Sequence, residues 1–451
     1  MSTTISRRKA VTGVAWSAPV IVASSAVPAF AASPTCEWDN RAAYSISGTY
    51  AGAKTVKEFV VPAKVEKIKF EIIGGAGGTQ YPDIAAGSGA KVTGTIAVTE
   101  GQVIQIVAAA GGVGNVALTP SKGGEGYGNG GSSSLASPIP SSVTAQVESR
   151  WGYPSSSKRI TYSSSGGGSS ALLVDGTAMV VAGGGGGAGF VNAGGANNAP
   201  EYAQPGAVDA GYLWPENALR NALPVLGSTG GSASAAAGSA GNAGSLTRTA
   251  DTTQVTTVEA GNGGSAGTGG SGGAATSLPT GASTNGVIGY YSTNNQEIFS
   301  SSTAGAAGGN GFTGAGADGV GSYSYMIDNN DKSLSEPGTE NKPLEYSSIG
   351  YNFNGYQSVV SAGGGAGYGG GGSGASTSSV GIVLTQKWNN NPNGVRQNTD
   401  FGQFGGGGGA GGSYVAPSVL DSVVTAANNA PKARGARGNG SVKVTYCRTA
   451  S

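Results

Sequence analysis

AMVVAGGGGGAG, residues 178–189, decides how this chain folds. A short apolar strand runs without a break into five glycines. The pattern recurs as SAGGGAGYGGGGSG at 361–374 and FGQFGGGGGAGG at 401–412. Glycine loses the most backbone entropy on folding and costs roughly 0.5–1 kcal/mol relative to alanine inside a helix or strand. A chain with 85 glycines in 451 residues is therefore either disordered or using glycine for what it alone permits. That is the close approach of one backbone to another, as in collagen, where extended three-residue-per-turn helices pack only where the inward position lacks a side chain.

Composition argues against disorder of the whole chain. Hydrophobic residues make up 38% and the formal net charge is +1, whereas disordered chains combine low hydrophobicity with high net charge. The apolar residues are also patterned. Ile68, Phe70 and Ile72 alternate with Lys67, Lys69 and Glu71, the mark of a half-buried strand. Tyr44 to Tyr50 and Val92 to Val98 alternate likewise, as do Val442, Val444 and Tyr446. Leu172-Leu173-Val174 and Met179-Val180-Val181 flank Asp175-Gly176, a strong hairpin signal. Thr99-Glu100-Gly101-Gln102 predicts a second hairpin, joining Val92–Val98 to Val103–Val107. No segment beyond the first thirty residues has a sustained helical period.

These strands predict an all-β fold: an antiparallel β-sandwich built from 37–108, 171–182 and 441–447. Polyglycine is a poor sheet former, but an extended polyproline-II-like path is open to it, advancing about 3.1 Å per residue with no internal hydrogen bonds. Buried backbone groups must still find partners, and several such segments side by side can supply them to one another. The tracts at 228–246, 259–275, 303–321, 361–374 and 402–412 suit this role. Their other residues are mostly Ala, Ser, Asn and Thr. The expected architecture is one glycine-rich domain over 32–451, with a polyglycine-II helix bundle and irregular loop insertions within 74–440.

Residues 1–31 have the layout of an export signal: a basic Ser6-Arg7-Arg8-Lys9, an apolar Ala10–Val27, and an Ala29-Phe30-Ala31 cleavage site. The twin-arginine and general secretory routes both remain open. Nothing later has the length or apolarity of a membrane span. Export makes the cysteines informative, because an even count in an exported protein favours a disulfide. Cys36 and Cys447 are the only two, and the expectation is that they pair; two free thiols or pairing between chains are the alternatives. Two cysteines and no histidine cannot supply the usual zinc ligand set, and no metal or cofactor is expected.

Several landmarks resemble bacterial exported glycine-rich domain proteins. They are Val61-Pro62-Ala63-Lys64-Val65 with FEIIGGAGG at 70–78, TIAVTEGQ at 95–102, AMVVAGGGGG at 178–187 and GNGSVKVTY at 438–446. Similar glycine-rich regions occur in phage tail-tip adhesins and in the ectodomains of anaplastic-lymphoma-type receptor kinases. The resemblance implies polyglycine-II helices bundled against a β-sandwich, a role in surface recognition or adhesion, and no catalytic residues to carry over. The large low-glycine insertions depart from the family pattern and leave the ligand open.

Those insertions, 138–165, 200–225, 286–300, 322–360 and 384–404, hold most of the large aromatics. Aromatics beside Asn, Gln and Ser make good recognition surfaces, although they could equally cover a bundle that has little apolar side chain of its own. Trp151, Trp214 and Trp388 are the candidate ligand contacts, with a cell-surface glycan or protein as the expected partner. Enzyme classes fare badly. The absence of histidine removes Ser-His-Asp triads and most metal hydrolases. Asp328, Asp331, Glu336, Glu340 and Glu345 form the densest acidic group, with nothing to hold a pair at a glycosidase spacing. Gly126-x-Gly128-x-x-Gly131 matches a dinucleotide fingerprint but lacks strand–turn–helix context. A net charge of +1 does not point to nucleic acid. The reading is an exported, non-enzymatic surface or matrix protein; the alternative is an ice-binding protein using a flat polyglycine bundle.

Overall fold

The computed structural model describes residues 36–79, 85–114, 120–134, 139, 141–142, 159–195, 230–233, 237–241, 244–248, 254–274, 296–328, 355–388 and 391–449, in parts of some strands by backbone alone. The chain is strand-rich, 39% strand against 1% helix, and so all-β. Candidate positions Trp151 and Trp214 lie outside the described residues, as do residues 1–31.

The alternating segments form two five-stranded antiparallel sheets. The first contains β1 (Cys36–Ser47), β3 (Val65–Ile73), β4 (Ala90–Ala97), β19 (Leu420–Ala426) and β20 (Ser441–Thr449), in the order β1-β20-β3-β4-β19. The second contains β2 (Thr55–Val60), β5 (Val103–Ala108), β7 (Ser170–Val174), β8 (Thr177–Ala182) and β18 (Tyr414–Val415), in the order β18-β8-β7-β5-β2. Ile68, Phe70, Ile72, Val92, Val442 and Val444 of the first share one buried cluster with Phe59, Ile104, Ile106, Leu172 and Val180 of the second. Asp175 and Gly176 close the β7–β8 turn, both at positive φ (48° and 77°), as a type I′ hairpin requires. The expected second hairpin does not form. β4 pairs with β3 and β19, while β5 pairs with β2 and β7. Residues 98–102 instead carry the chain across the core from one sheet to the other, so that the apolar faces of both strands point inward.

The glycine tracts run on from these strands and are held by a different rule. Along 184–188 the amides donate in turn to Ala366, Gly75, Gly231, Gly363 and Gly78. The partners repeat every third residue: 184 and 187 bond one neighbouring segment, 185 and 188 another. The carbonyls of 183–188 accept with the same period, from Ala90, Gly411, Gly167, Gly87, Gly408 and Ser164. One tract is thus bonded to six others, those passing through residues 75–78, 87–90, 164–167, 231, 363–366 and 408–411. Segment 363–368 repeats the pattern, donating to Ser164, Ala317, Gly409, Gly167, Gly314 and Gly412.

Glycine is required because a Cβ built at any of Gly183 to Gly187 would fall closer than 3.0 Å to a neighbouring carbonyl oxygen. A methyl is accommodated at a few seams, where Ala76, Ala366 and Ala410 are fully buried. Serine hydroxyls stand in where a neighbouring carbonyl or amide is missing. Ser413 Oγ accepts from Gly183 N (3.1 Å) and Ser169 Oγ from Gly128 N (2.8 Å), while Ser170 Oγ accepts from Ala109 N and donates to the Ile73 carbonyl.

Three further sheets lie beyond the tracts. β12 (Gln296–Phe299), β14 (Gly321–Asp328), β15 (Gly355–Val360) and β6 (Arg159–Tyr162) form one, ordered β12-β14-β15-β6 with β15 and β6 parallel. β13 (Ser301–Thr303), β16 (Ser376–Trp388), β17 (Asn391–Gly405) and β9 (Phe190–Gly195) form another, ordered β13-β16-β17-β9. β10 (Gly244–Arg248) pairs with β11 (Gln254–Val258). This corrects the expectation of irregular loops where the chain is described: every described residue of 322–360 and 384–404 is in a strand. These strands escape the apolar alternation pattern because the two four-stranded sheets face each other through hydroxyls. Ser322 Oγ lies 2.8 Å from Ser376 Oγ, Ser324 Oγ 2.9 Å from Ser378 Oγ, and Thr161 Oγ1 donates to Gln403 Oε1 at 3.0 Å.

Candidate recognition end

Tract polarity fixes where every insertion emerges. Segment 183–188 leaves β8 and enters β9. The tracts at 164–167, 363–366 and 408–411 run antiparallel to it, which puts β6, β15 and β17 at the β9 end. The same reasoning through 365–371, 306–309, 314–317, 261–264 and 238–241 brings β16, β13, β14, β11 and β10 to that end as well. β12 joins them by pairing with β14. The pole opposite holds the two five-stranded sheets. There β1 and β20 meet the tracts at their Ser47–Ser441 end, where Gly48 N donates to the Gly440 carbonyl. Their other end, Cys36 opposite Thr449, points away from the tracts.

Trp388 is the last residue of β16, opposite Asn391 of β17 across the 389–390 connection. β16 and β17 pair along nearly their whole length, while β13 and β9 flank only the part nearest the tracts. Trp388 therefore sits at the tip of a two-stranded arm on the insertion-bearing end. Cys447 is fully buried in β20, and no free cysteine occurs among the described residues. The ladder places Cys36 opposite Thr449, two positions along from Cys447.

Aromatic rings gather at both ends of the tracts. At the insertion end Phe299 stacks on Tyr323 (4.9 Å between centroids) and on Tyr325 (5.3 Å), on the face opposite Ser322 and Ser324. The ladder sets Tyr356 opposite Tyr325. Tyr162 of the same sheet is buried, which pushes its phenol above the usual range. Phe404, counted among the insertion aromatics, is only 2% exposed and belongs to the packed interior.

Near the other end Phe312, Tyr368 and Tyr414 pack together with centroids 4.8–5.0 Å apart. This second group is invisible to sequence reasoning. Phe312 and Tyr368 each stand alone among glycines of a different tract, Tyr414 opens β18, and the turns at Gly311 and Gly369, both at positive φ, bring the first two to it.

Little here is charged. Lys91–Glu71 (2.7 Å) and Lys122–Glu125 (3.3 Å) are the ion pairs among the described residues. No group of three or more His, Cys, Asp or Glu side chains among them is placed to hold a metal. Of the five carboxylates in the acidic segment only Asp328 is described, at the end of β14. Gly126, Gly128 and Gly131 lie within the glycine packing, where a Cβ on each would press on a neighbouring backbone. No protein-family model matches the chain, and the curated proteins contain no match to it.

Proposed function

We propose that this is an exported, non-enzymatic surface or matrix protein, which holds recognition elements away from the sheets that carry its two end strands. In this reading the paired five-stranded sheets are a β-sandwich and the tracts are a polyglycine-II bundle. The period of three in their hydrogen-bond partners supports the second assignment, since that helix has three residues per turn. The observation that carries the function is the sorting of elements. All ten strands outside the two five-stranded sheets, and the insertions between them, leave from one end of the tracts. A rigid scaffold with variable, aromatic-bearing segments at one end is how binding loops are commonly presented.

The ligand would be a cell-surface glycan or protein, met by the arm ending in Trp388 and by the insertions carrying Trp151 and Trp214. Binding arrays of glycans and host-surface proteins test this, comparing the intact protein with one whose 381–400 arm is replaced by a short turn. Binding by the intact protein and at least a tenfold loss without the arm is the expected result. Equal binding by both would move recognition off the arm. Cys36 and Cys447 are proposed to be bonded, clamping β1 to β20; non-reducing peptide mapping that recovers two free thiols would end that assignment.

One observation favours a second reading, an ice-binding surface. Exposure on the outermost tracts recurs every third residue and falls on small or polar side chains, such as Asn262 and Ser265 or Thr268 and Ser271. A thermal-hysteresis measurement separates the two readings.

A further inference from the structure

Something must stop the glycine packing from growing. Inside it every tract is bonded to others on all sides, yet the packing is finite, and its flank presents backbone groups that a further tract could bond. One flank consists of three tracts side by side: 304–310, 314–319 and 129–132. They are joined by Gly309 N to the Ala315 carbonyl, Gly316 N to the Asn129 carbonyl and Gly319 N to the Ser132 carbonyl. Along the first tract the exposed positions are Ala304, Ala307, Gly309 and Asn310; along the second they are Phe312, Thr313, Ala315 and Asp318. The amides of Ala304, Ala307 and Ala315 make no hydrogen bond among the described residues. This is the open edge of a hydrogen-bonded lattice, comparable to the edge strand of a sheet, which proteins must protect from pairing with another chain.

What distinguishes the flank from the interior is the side chain. In the interior, a Cβ facing a neighbouring tract would overlap its carbonyl oxygen at Gly186, Gly316 and Gly370 alike. On the flank every exposed position of the two tracts carries a Cβ except Gly309, whose amide is already bonded to the Ala315 carbonyl. We infer that the rows Ala304/Ala307/Asn310 and Phe312/Ala315/Asp318 are a guard that keeps the same flank of a second copy of this chain from docking tract against tract. The methyls hold an approaching backbone beyond hydrogen-bond reach of the free amides. This inference does not rest on the adhesion reading, since it concerns the side of the bundle and not its insertion-bearing end.

The test is the triple variant Ala304→Gly/Ala307→Gly/Ala315→Gly, compared with Ala304→Ser/Ala307→Ser/Ala315→Ser and the parent by sedimentation over a hundredfold range of concentration. Circular dichroism and melting are followed in parallel, so that folded association is told apart from aggregation of unfolded chains. The glycine variant is expected to associate at least tenfold more tightly than the parent while keeping its strand signal. The serine variant, which keeps each Cβ, is expected to match the parent. A folded glycine variant that sediments like the parent overturns the inference, and so does a serine variant that associates equally well. If the glycine triple loses its fold, Ala307→Gly alone is measured against Ala307→Ser under the same criteria.

Discussion

Phe70, Ile106 and Leu172 are large side chains buried between the two five-stranded sheets, whereas tract 183–187, equally buried, has no side chain to bury. In the sheets stability comes from apolar area removed from water, roughly 25 cal/mol per Å², and the backbone bonds only along each sheet. In the tracts the apolar contribution is nearly absent. Backbone amides bond outward to three surrounding segments and carbonyls to three others, and close approach supplies the remaining contacts. The difference teaches where each region is vulnerable. A sheet core tolerates loss of volume at a graded cost and can partly relax. A lattice of backbones cannot accept added volume, because what an added atom meets is a carbonyl held by bonds on several sides.

The largest expected effect follows from this. Gly185→Val places a branched side chain against the carbonyl of Gly87 and next to that of Ser88. Neither can move without breaking the Gly87–Gly186 and Gly77–Gly87 hydrogen bonds. We expect a loss of about 4 kcal/mol or more, in the range seen only for severe core defects, read as a collapse of the melting transition. Full retention of the melting temperature would mean that the tracts behave as linkers and that the contrast between the two regions is false.

Next comes the sheet core. Phe70→Ala removes a ring buried at the centre of the shared cluster and should cost about 3–5 kcal/mol. The comparison sharpens if Gly185→Ala, which adds one methyl, is as damaging as Phe70→Ala, which removes a whole ring. Equal tolerance of Gly185→Ala and of a surface change would break it.

How much of this was legible follows from the same contrast. The alternation in 65–73 could be read directly because its side chains face apolar core on one side and water on the other, and the Asp175-Gly176 turn because both of its residue types accept positive φ. The glycine runs announced close packing because nothing else justifies their entropic cost. The sheets at the insertion end could not be read. Ser322, Ser324, Ser376 and Ser378 occupy the positions that a strand pattern expects to be apolar, since those sheets meet through paired hydroxyls. The crossing between β4 and β5 has the sequence of a hairpin because local turn chemistry does not reveal which sheet the next strand joins. For the candidate site, the sequence picked out Trp388 but not that it ends a paired arm. The cluster of Phe312, Tyr368 and Tyr414 depends on two turns and the short strand β18, which meet only in the folded chain.

A smaller effect is expected where the two regions join. Asn429 accepts a hydrogen bond from Gly89 N (3.0 Å) and donates to the carbonyls of Gly74 (2.9 Å), Gly438 and Asn439. It bridges the start of one tract to the end of another, beside β20. Asn429→Ala leaves several of these groups without partners in a part-buried site, at about 1–3 kcal/mol. Asn429→Asp keeps the acceptor but turns a carboxylate oxygen toward the carbonyls of Gly74, Gly438 and Asn439, so it should be at least as destabilised as the alanine variant in chemical denaturation at neutral pH. An alanine variant as stable as the parent would show that the junction is not held by this side chain.

The smallest effect at neutral pH lies in the sheet core and grows in alkali. Burial drives the Tyr446 phenol well above the usual tyrosine range, helped by the neighbouring Tyr44; the buried ring also packs edge-on against Tyr44 and Phe59. An acid whose ionisation is raised in the folded state favours its neutral form there. Its contribution to stability is complete below the unfolded value of 10.0. It is lost as pH rises from there toward the folded value, because the unfolded chain gives up the proton first. The parent should therefore lose stability progressively above pH 10. Tyr446→Phe should lie within about 1 kcal/mol of the parent at pH 7, since the ring and its packing remain and a single hydroxyl is at stake. Above pH 10 it should lose less than the parent. The tracts carry few titrating groups of their own, so this alkaline sensitivity belongs to the sheets. A variant whose stability falls with pH as steeply as the parent's would place the titrating group elsewhere, with the buried Tyr162 at the insertion end as the next to replace by phenylalanine.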